Sequence, residues 1–334
     1  MTIHLASALF SILLLTGICG PGPRVGHALA YHAQYGVLVL YGGYDAAMIP
    51  QGDTWLYDGQ VWRYTRSASN PPARANHAMA YDAGRGVVVL YGGVRADGEL
   101  LGDTWEFDGV AWRQAAVSGP PARSETALAY DAARGVCVLY GGQAQATLPL
   151  SDTWEYDGFA WRQVITNHSP GGVVAGSGLR DHAMAYDAAR GVVLLFGGDD
   201  SVNDSGNTWA YDGDDWAQQP TWASPFPRHG HAMAYDAAQQ RVIVHGGWHN
   251  GPLSDAYFWA GDRWVLLDAQ DTRPTGRSGH AIAYDAVSES LTLYGGLGAA
   301  GQPLTDMWAL AAQGWRELAP NICIGGLYVS YVQR

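Results

Sequence analysis

The chain has 334 residues, with 19 Lys plus Arg against 31 Asp plus Glu, and its formal net charge of −12 disfavours a nucleic-acid backbone or an anionic membrane surface as the main partner. With 44 Gly, 14 Trp and 19 Tyr in a chain only 15% charged, the composition fits turn-dense all-β structure with large aromatics between sheets. Cys19, Cys137 and Cys323 lie far apart, which excludes a disulfide framework and any Cys-x-x-Cys metal spacing.

The chain opens on a stretch, Leu5 to Ile18, that is nearly all apolar and ends beside Gly17, Cys19 and Gly20, small residues where a signal peptidase could cut. Residues 1–20 therefore read as an export signal, since an apolar run of about 14 residues is short for a membrane span, which needs roughly 20. The product is expected outside the cytoplasm, secreted, periplasmic or on the cell surface, with no membrane span once the signal is removed.

From there to about residue 319 one pattern returns six times. Gly-Gly doublets begin at Gly42, Gly92, Gly141, Gly197, Gly246 and Gly295, each closing an apolar run such as Val87 to Tyr91. About a dozen residues on comes Asp-Thr-Trp or a near copy, ending at Trp55, Trp105, Trp154, Trp209, Tyr257 and Trp308, and seven residues beyond each stands Trp62, Trp112, Trp161, Trp216, Trp264 or Trp315. A strand-rich repeat of this length predicts a six-bladed all-β propeller, one blade of four antiparallel strands per copy.

The second copy shows the blade. His77 to Asp82 alternates small and large residues, as a strand crowded near an axis should. Val87 to Tyr91 is apolar throughout, fitting burial on both faces. The turn from Asp82 to Gly86 and the Asp108-Gly109 reversal carry hairpin chemistry. Phe107 should face Trp112, giving each blade an aromatic cluster to set against its neighbour. Cys137 replaces a core valine and reads as buried and inert.

These residues resemble the kelch-repeat family: an apolar strand ending in Gly-Gly, then an aromatic (Tyr57, Phe107, Tyr156, Tyr211, Trp259) and a Trp shortly after, over residues 24 to about 318. The resemblance implies a β-propeller and leaves function open, since kelch domains serve many roles. Among kelch-like enzymes, galactose oxidase needs a Tyr-Cys cross-link beside copper, which Cys137 in a repeated core position does not offer. A sialic acid mutarotase type needs an acid or base at the channel mouth, and no Glu–His pairing here rises above the repeat. No catalytic residue, metal site or cofactor is assigned.

What varies is the segment after each doublet, so the face carrying these connections and those between blades is the expected binding face, for a protein or a glycan. Trp222 and Trp248 fall outside the repeat register and, with Phe226, His229 and His249, form a candidate patch for a sugar ring or a protein anchor, with local packing as the alternative. Arg24, Arg74, Arg123, Arg180, Arg228 and Arg277 precede the first strands and should meet the Asp that opens the third, either as structural ion pairs or as an anion-binding crown at the channel rim. His27, His77, His182, His231 and His280, with Thr126 in the remaining copy, read as structural, because six-fold equivalents stand too far apart to ligate one ion. His229, His245 and His249 in copy five make a local metal site conceivable. The acidic run Asp199, Asp200, Asn203 and Asp204 does not follow a calcium-loop pattern. Residues 320–334 match no repeat and are expected to form an irregular tail.

Overall fold

The computed structural model describes residues 20–115, 117–145, 149–171, 177–267 and 272–319. All but Gly20 of the proposed signal, the tail 320–334 and part of the long connection His168 to Leu179 lie outside these residues. Six four-stranded sheets follow one another in chain order, each a simple antiparallel meander. Blade 1 comprises Ala28–His32, Val37–Tyr41, Thr54–Tyr57 and Trp62–Thr65, and blade 2 Ala78–Asp82, Val87–Tyr91, Thr104–Phe107 and Trp112–Ala115. Blades 3 to 6 begin at Ala127–Asp131, Ala183–Asp187, Ala232–Asp236 and Ala281–Asp285. These first strands line the axis, each against the first strands of its two neighbours, and that of blade 6 touches that of blade 1. The disc is therefore closed.

Closure needs no strand exchanged between the ends. The Arg24 N–H donates to Leu304 O at 3.1 Å and Gly296 N–H to Arg24 O at 2.8 Å. Those are the same links that Arg74 makes with Gln51 and Gly43 between blades 1 and 2, at 3.0 and 2.9 Å. The segment before the first strand thus serves blade 6 as each inter-blade connection serves the blade before it.

The doublets are fixed by close approach. A Cβ on Gly42 would stand 2.5 Å from the Arg74 carbonyl oxygen of the next blade, and one on Gly43 2.6 Å from His27 Cβ. Both also have positive φ, 63° and 84°, so a side chain there is excluded twice over.

Aromatics join the wedges. Phe107 pairs with Trp112 across the third and fourth strands of blade 2, and the Trp112 ring lies edge-on to Tyr41 of blade 1 at 5.3 Å. Its Nε1–H donates to Thr54 Oγ1 of blade 1 at 2.9 Å. Trp161, Trp216 and Trp264 donate likewise to Thr104, Thr153 and Thr208, each on the preceding blade. Each such Trp therefore combines apolar burial with one directional bond that fixes the angle between blades. Cys137 is fully buried in this core and its thiol pKa is pushed up by desolvation.

Candidate functional site

On the face carrying the variable connections, the channel mouth is built from three residues preceding each first strand. Nearest that strand, and just below the mouth, come His27, His77, Thr126, His182, His231 and His280, all buried. Each of His27, His77, His182 and His231 sets its ring edge-on to an aromatic of the preceding blade, Tyr294, Tyr41, Tyr140 and Phe196 respectively, at 5.5 to 5.6 Å. Burial, before any other cause, lowers the imidazole pKa of His27 and His182 to about 3. These rings are neutral packing elements.

One residue earlier the chain makes a feature that the repeat pattern does not reveal. Gly26, Asn76, Glu125, Asp181, Gly230 and Gly279 all have positive φ, between 51° and 66°. Each donates its N–H to the carbonyl of the equivalent residue in the preceding blade, at 2.7 to 3.0 Å, and Gly26 closes the circle on Gly279. Six amides so form an unbroken hydrogen-bonded ring around a cavity of about 110 Å³. Glycine suits this conformation, and Asn and Asp tolerate it. A glutamate at φ 57° is out of place by about 1 kcal/mol or more.

Glu125 and Asp181 place two carboxyls side by side on this ring. Desolvation raises the pKa of both, Asp181 well above the usual range, and Glu125 adds its negative charge to Asp181. Arg180 only partly offsets this, with Nη1 at 3.8 Å from Glu125 Oε2.

Two residues before the histidine position, the chain bridges to the residue just after its own doublet, and here the six-fold pattern breaks. Blades 1, 2 and 6 present the uncharged pairs Val25 with Tyr44, Ala75 with Val94, and Ser278 with Leu297. Blades 3, 4 and 5 present Ser124 with Gln143, Arg180 with Asp199, and His229 with Trp248. Apart from the Tyr44 phenol and the Ser278 hydroxyl, polar and ionisable groups therefore gather on one half of the mouth.

The arginine series divides accordingly. Arg24, Arg74, Arg123, Arg228 and Arg277 are buried and paired with Asp53, Asp103, Asp152, Asp255 and Asp306 at 2.6 to 2.7 Å. Four of them also donate to the first glycine carbonyl of their own doublet at 2.8 to 3.0 Å. Such guanidiniums hold loops together and have no face to offer an anion. Arg180 departs from the series: it lies one position later, because Leu179 occupies the buried site, and it reaches Asp199 at 2.7 Å on the mouth itself.

The aromatic and imidazole patch assembles around a residue the sequence did not single out for this role. Asp204, in the second-to-third strand connection of blade 4, meets His229 Nδ1 through Oδ1 at 2.6 Å and His249 Nδ1 through Oδ2 at 3.1 Å. Phe226 stacks parallel to His249 with ring centroids 6.1 Å apart, and Trp248 lies between the two histidines in sequence and bridge pattern. Trp222 is elsewhere, exposed, with the Arg263 guanidinium of the blade 5 hairpin 5.0 Å from its ring centroid. His245 does not join His229 and His249 either; it is buried against His280, Nδ1 to Nε2 at 3.0 Å. Asp199 and Asp200 accept backbone N–H groups of their own loop. Among the described residues no group of three or more His, Cys, Asp or Glu side chains is arranged to hold a metal ion, and no helix is long and apolar enough to cross a membrane.

The sequence is matched over residues 11–173 by the model of the KLHDC2/KLHL20/DRC7 kelch-repeats domain. Among solved structures, that of YjhT superimposes with a TM-score of 0.66 at 14% identity, covering 91% of this chain and 100% of that one. At such identity the likeness fixes the architecture and leaves the ligand to the residues at the mouth. No curated protein matches the sequence.

Proposed function

As a kelch-repeat β-propeller, this chain acts, we propose, as an exported, non-catalytic binding module that takes its ligand, a glycan or a protein of the cell envelope, on the polar half of the channel mouth. The observation that carries this reading is the broken symmetry. At equivalent positions of one scaffold, blades 1, 2, 3 and 6 carry Val25, Ala75, Ser124 and Ser278, whereas blades 4 and 5 carry Arg180 and His229. The same backbone bridge forms at this position in all six blades, so the bridge does not dictate the difference. Export is supported by the apolar run Leu5 to Ile18.

Trp248 is the residue to change. Replacing it with Ala should weaken capture of the ligand, screened on glycan panels and envelope fractions, at least tenfold with an unchanged unfolding midpoint. Trp222→Ala, which alters an exposed ring away from the mouth, should leave capture as it was. Equal affinity for both variants and the parent chain would refute the placement.

One observation favours a second reading, a sugar-modifying enzyme. Burial raises the Glu125 carboxyl pKa against the opposing charge of Arg180, and a carboxyl with a raised pKa at a channel mouth is the kind of group that general acid catalysis on a sugar uses. Turnover lost in Glu125→Gln with binding retained would decide for it.

A further inference from the structure

The Asp204 cluster narrows the ligand class, given that the mouth is the binding face as read above. A carboxylate can only accept, so both Nδ1 atoms that contact Asp204 carry their protons. In the neutral ring the opposite nitrogen, Nε2, is then an acceptor. One aspartate thus sets two imidazoles in the same tautomer, and their side chains remain 31% and 34% exposed. Beside these acceptors stand the Phe226 ring, 65% exposed, and Trp248, 36% exposed.

We propose that His229 and His249, oriented by Asp204, form with Trp248 and Phe226 a subsite for a neutral pyranose, whose ring packs on an aromatic face while two of its hydroxyls donate to the two Nε2 atoms. The chemistry selects against anions. The cluster's fixed charge is the Asp204 carboxylate, its outward atoms are the two Nε2 lone pairs, with the exposed Asn250 Nδ2 standing 3.5 Å from that of His249 where a sugar hydroxyl would displace it, and the nearby guanidinium of Arg180 is committed to Asp199 through Nε and Nη2 at 3.0 and 2.7 Å. A sugar acid would find its carboxylate facing acceptors. A neutral ring supplies donors and an apolar face, which is what the site lacks and what it offers.

Asp204 is a positioning residue here, and its substitution has a signature that loss of packing would not give. In Asp204→Asn the amide oxygen still accepts from one Nδ1–H, but the amide nitrogen donates and drives the other ring to the Nε2–H tautomer, turning one acceptor into a donor. Imidazole ¹H–¹⁵N spectra of the full chain should show both rings as Nδ1–H in the parent and one as Nε2–H in the variant. Titration with neutral methyl hexopyranosides should move those resonances, with affinity at least tenfold lower in Asp204→Asn and in a second variant, His249→Phe. Uronates should bind more weakly than the neutral sugars.

Tighter uronate binding, Nε2–H tautomers in the parent, or sugar affinity indifferent to both substitutions would overturn the proposal. If a ligand is lost in Trp248→Ala yet is insensitive to Asp204→Asn, this subsite falls and the mouth remains the binding face. If nothing depends on Trp248, both fall.

Discussion

In blade 4, Leu179 and Asn207 stand where the other five blades place an arginine and an aspartate. Leu179 is fully buried, its carbonyl accepting from Gly142 N–H at 2.9 Å just as Arg74 and Arg123 accept from Gly43 and Gly93. Asn207 opens the third strand as Asp103 and Asp152 do. Both partners have changed together, as electrostatics requires: a buried guanidinium or carboxylate left alone costs far more than a pair replaced by neutral groups. The aspartate that in blades 1, 2, 3 and 6 accepts from the following Trp, as Asp103 does from Trp105 at 2.7 Å, is gone too, and Trp209 Nε1 is buried without a partner among the described residues.

That relationship can be transplanted. Arg74→Leu alone should destabilise the protein by about 2 to 3 kcal/mol, less than for a fully enclosed pair because Asp103 keeps some exposure. Adding Asp103→Asn should recover most of the loss. Denaturant unfolding of the two single variants and the double variant measures the coupling, and additive effects would contradict it.

The amide ring makes Glu125 a costly choice. Glu125→Gly relieves a left-handed backbone and removes a desolvated carboxyl, so it should raise stability by about 1 kcal/mol or more while weakening whatever the mouth binds. Calorimetric unfolding midpoints paired with binding curves would show the trade. A destabilised Glu125→Gly would mean that this carboxyl holds the ring together.

Acid should act on this protein through opposing groups. Glu125 and Asp181 have folded pKa values raised above their unfolded ones, so their contribution favours the folded state at low pH and fades as pH rises from about 4 through the raised values. Asp181→Asn should therefore stabilise at neutral pH and do little near pH 4. Stability measured at intervals from pH 4 to 8 tests the slope.

The buried histidines have the other sign. The folded pKa of His27 and His182 is about 3 against an unfolded value near 6.5, so stability is present above pH 6.5 and is lost as pH falls toward 3. Blade 3 supplies the remedy: Thr126 holds the same position and donates Oγ1–H to Tyr140 O at 2.8 Å without titrating. His182→Thr should lower the pH of acid unfolding, and an unchanged midpoint would show that the ring is protonated at little cost.

The blade was legible in the chain because its determinants are local and repeated. Gly42-Gly43, the Asp108-Gly109 reversal and the seven-residue step from Trp105 to Trp112 each impose a conformation on their neighbours, and six copies make the period unmistakable. The pairing of the buried arginines with the third-strand aspartates was legible for the same reason, except at Arg180, where one step of register separates a buried loop tie from a group at the mouth.

What the sequence by itself determined is thus the wedge: strand order, turns, the aromatic face and the count of six. Only the tertiary structure decided what happens at the axis. There Gly26 before blade 1 meets Gly279 before blade 6, Glu125 comes to lie beside Asp181, and Asp204 reaches His229 and His249 of the following blade. Such contacts depend on the angle at which closed wedges converge, so residues unremarkable within their own copy become neighbours only when the ring is complete.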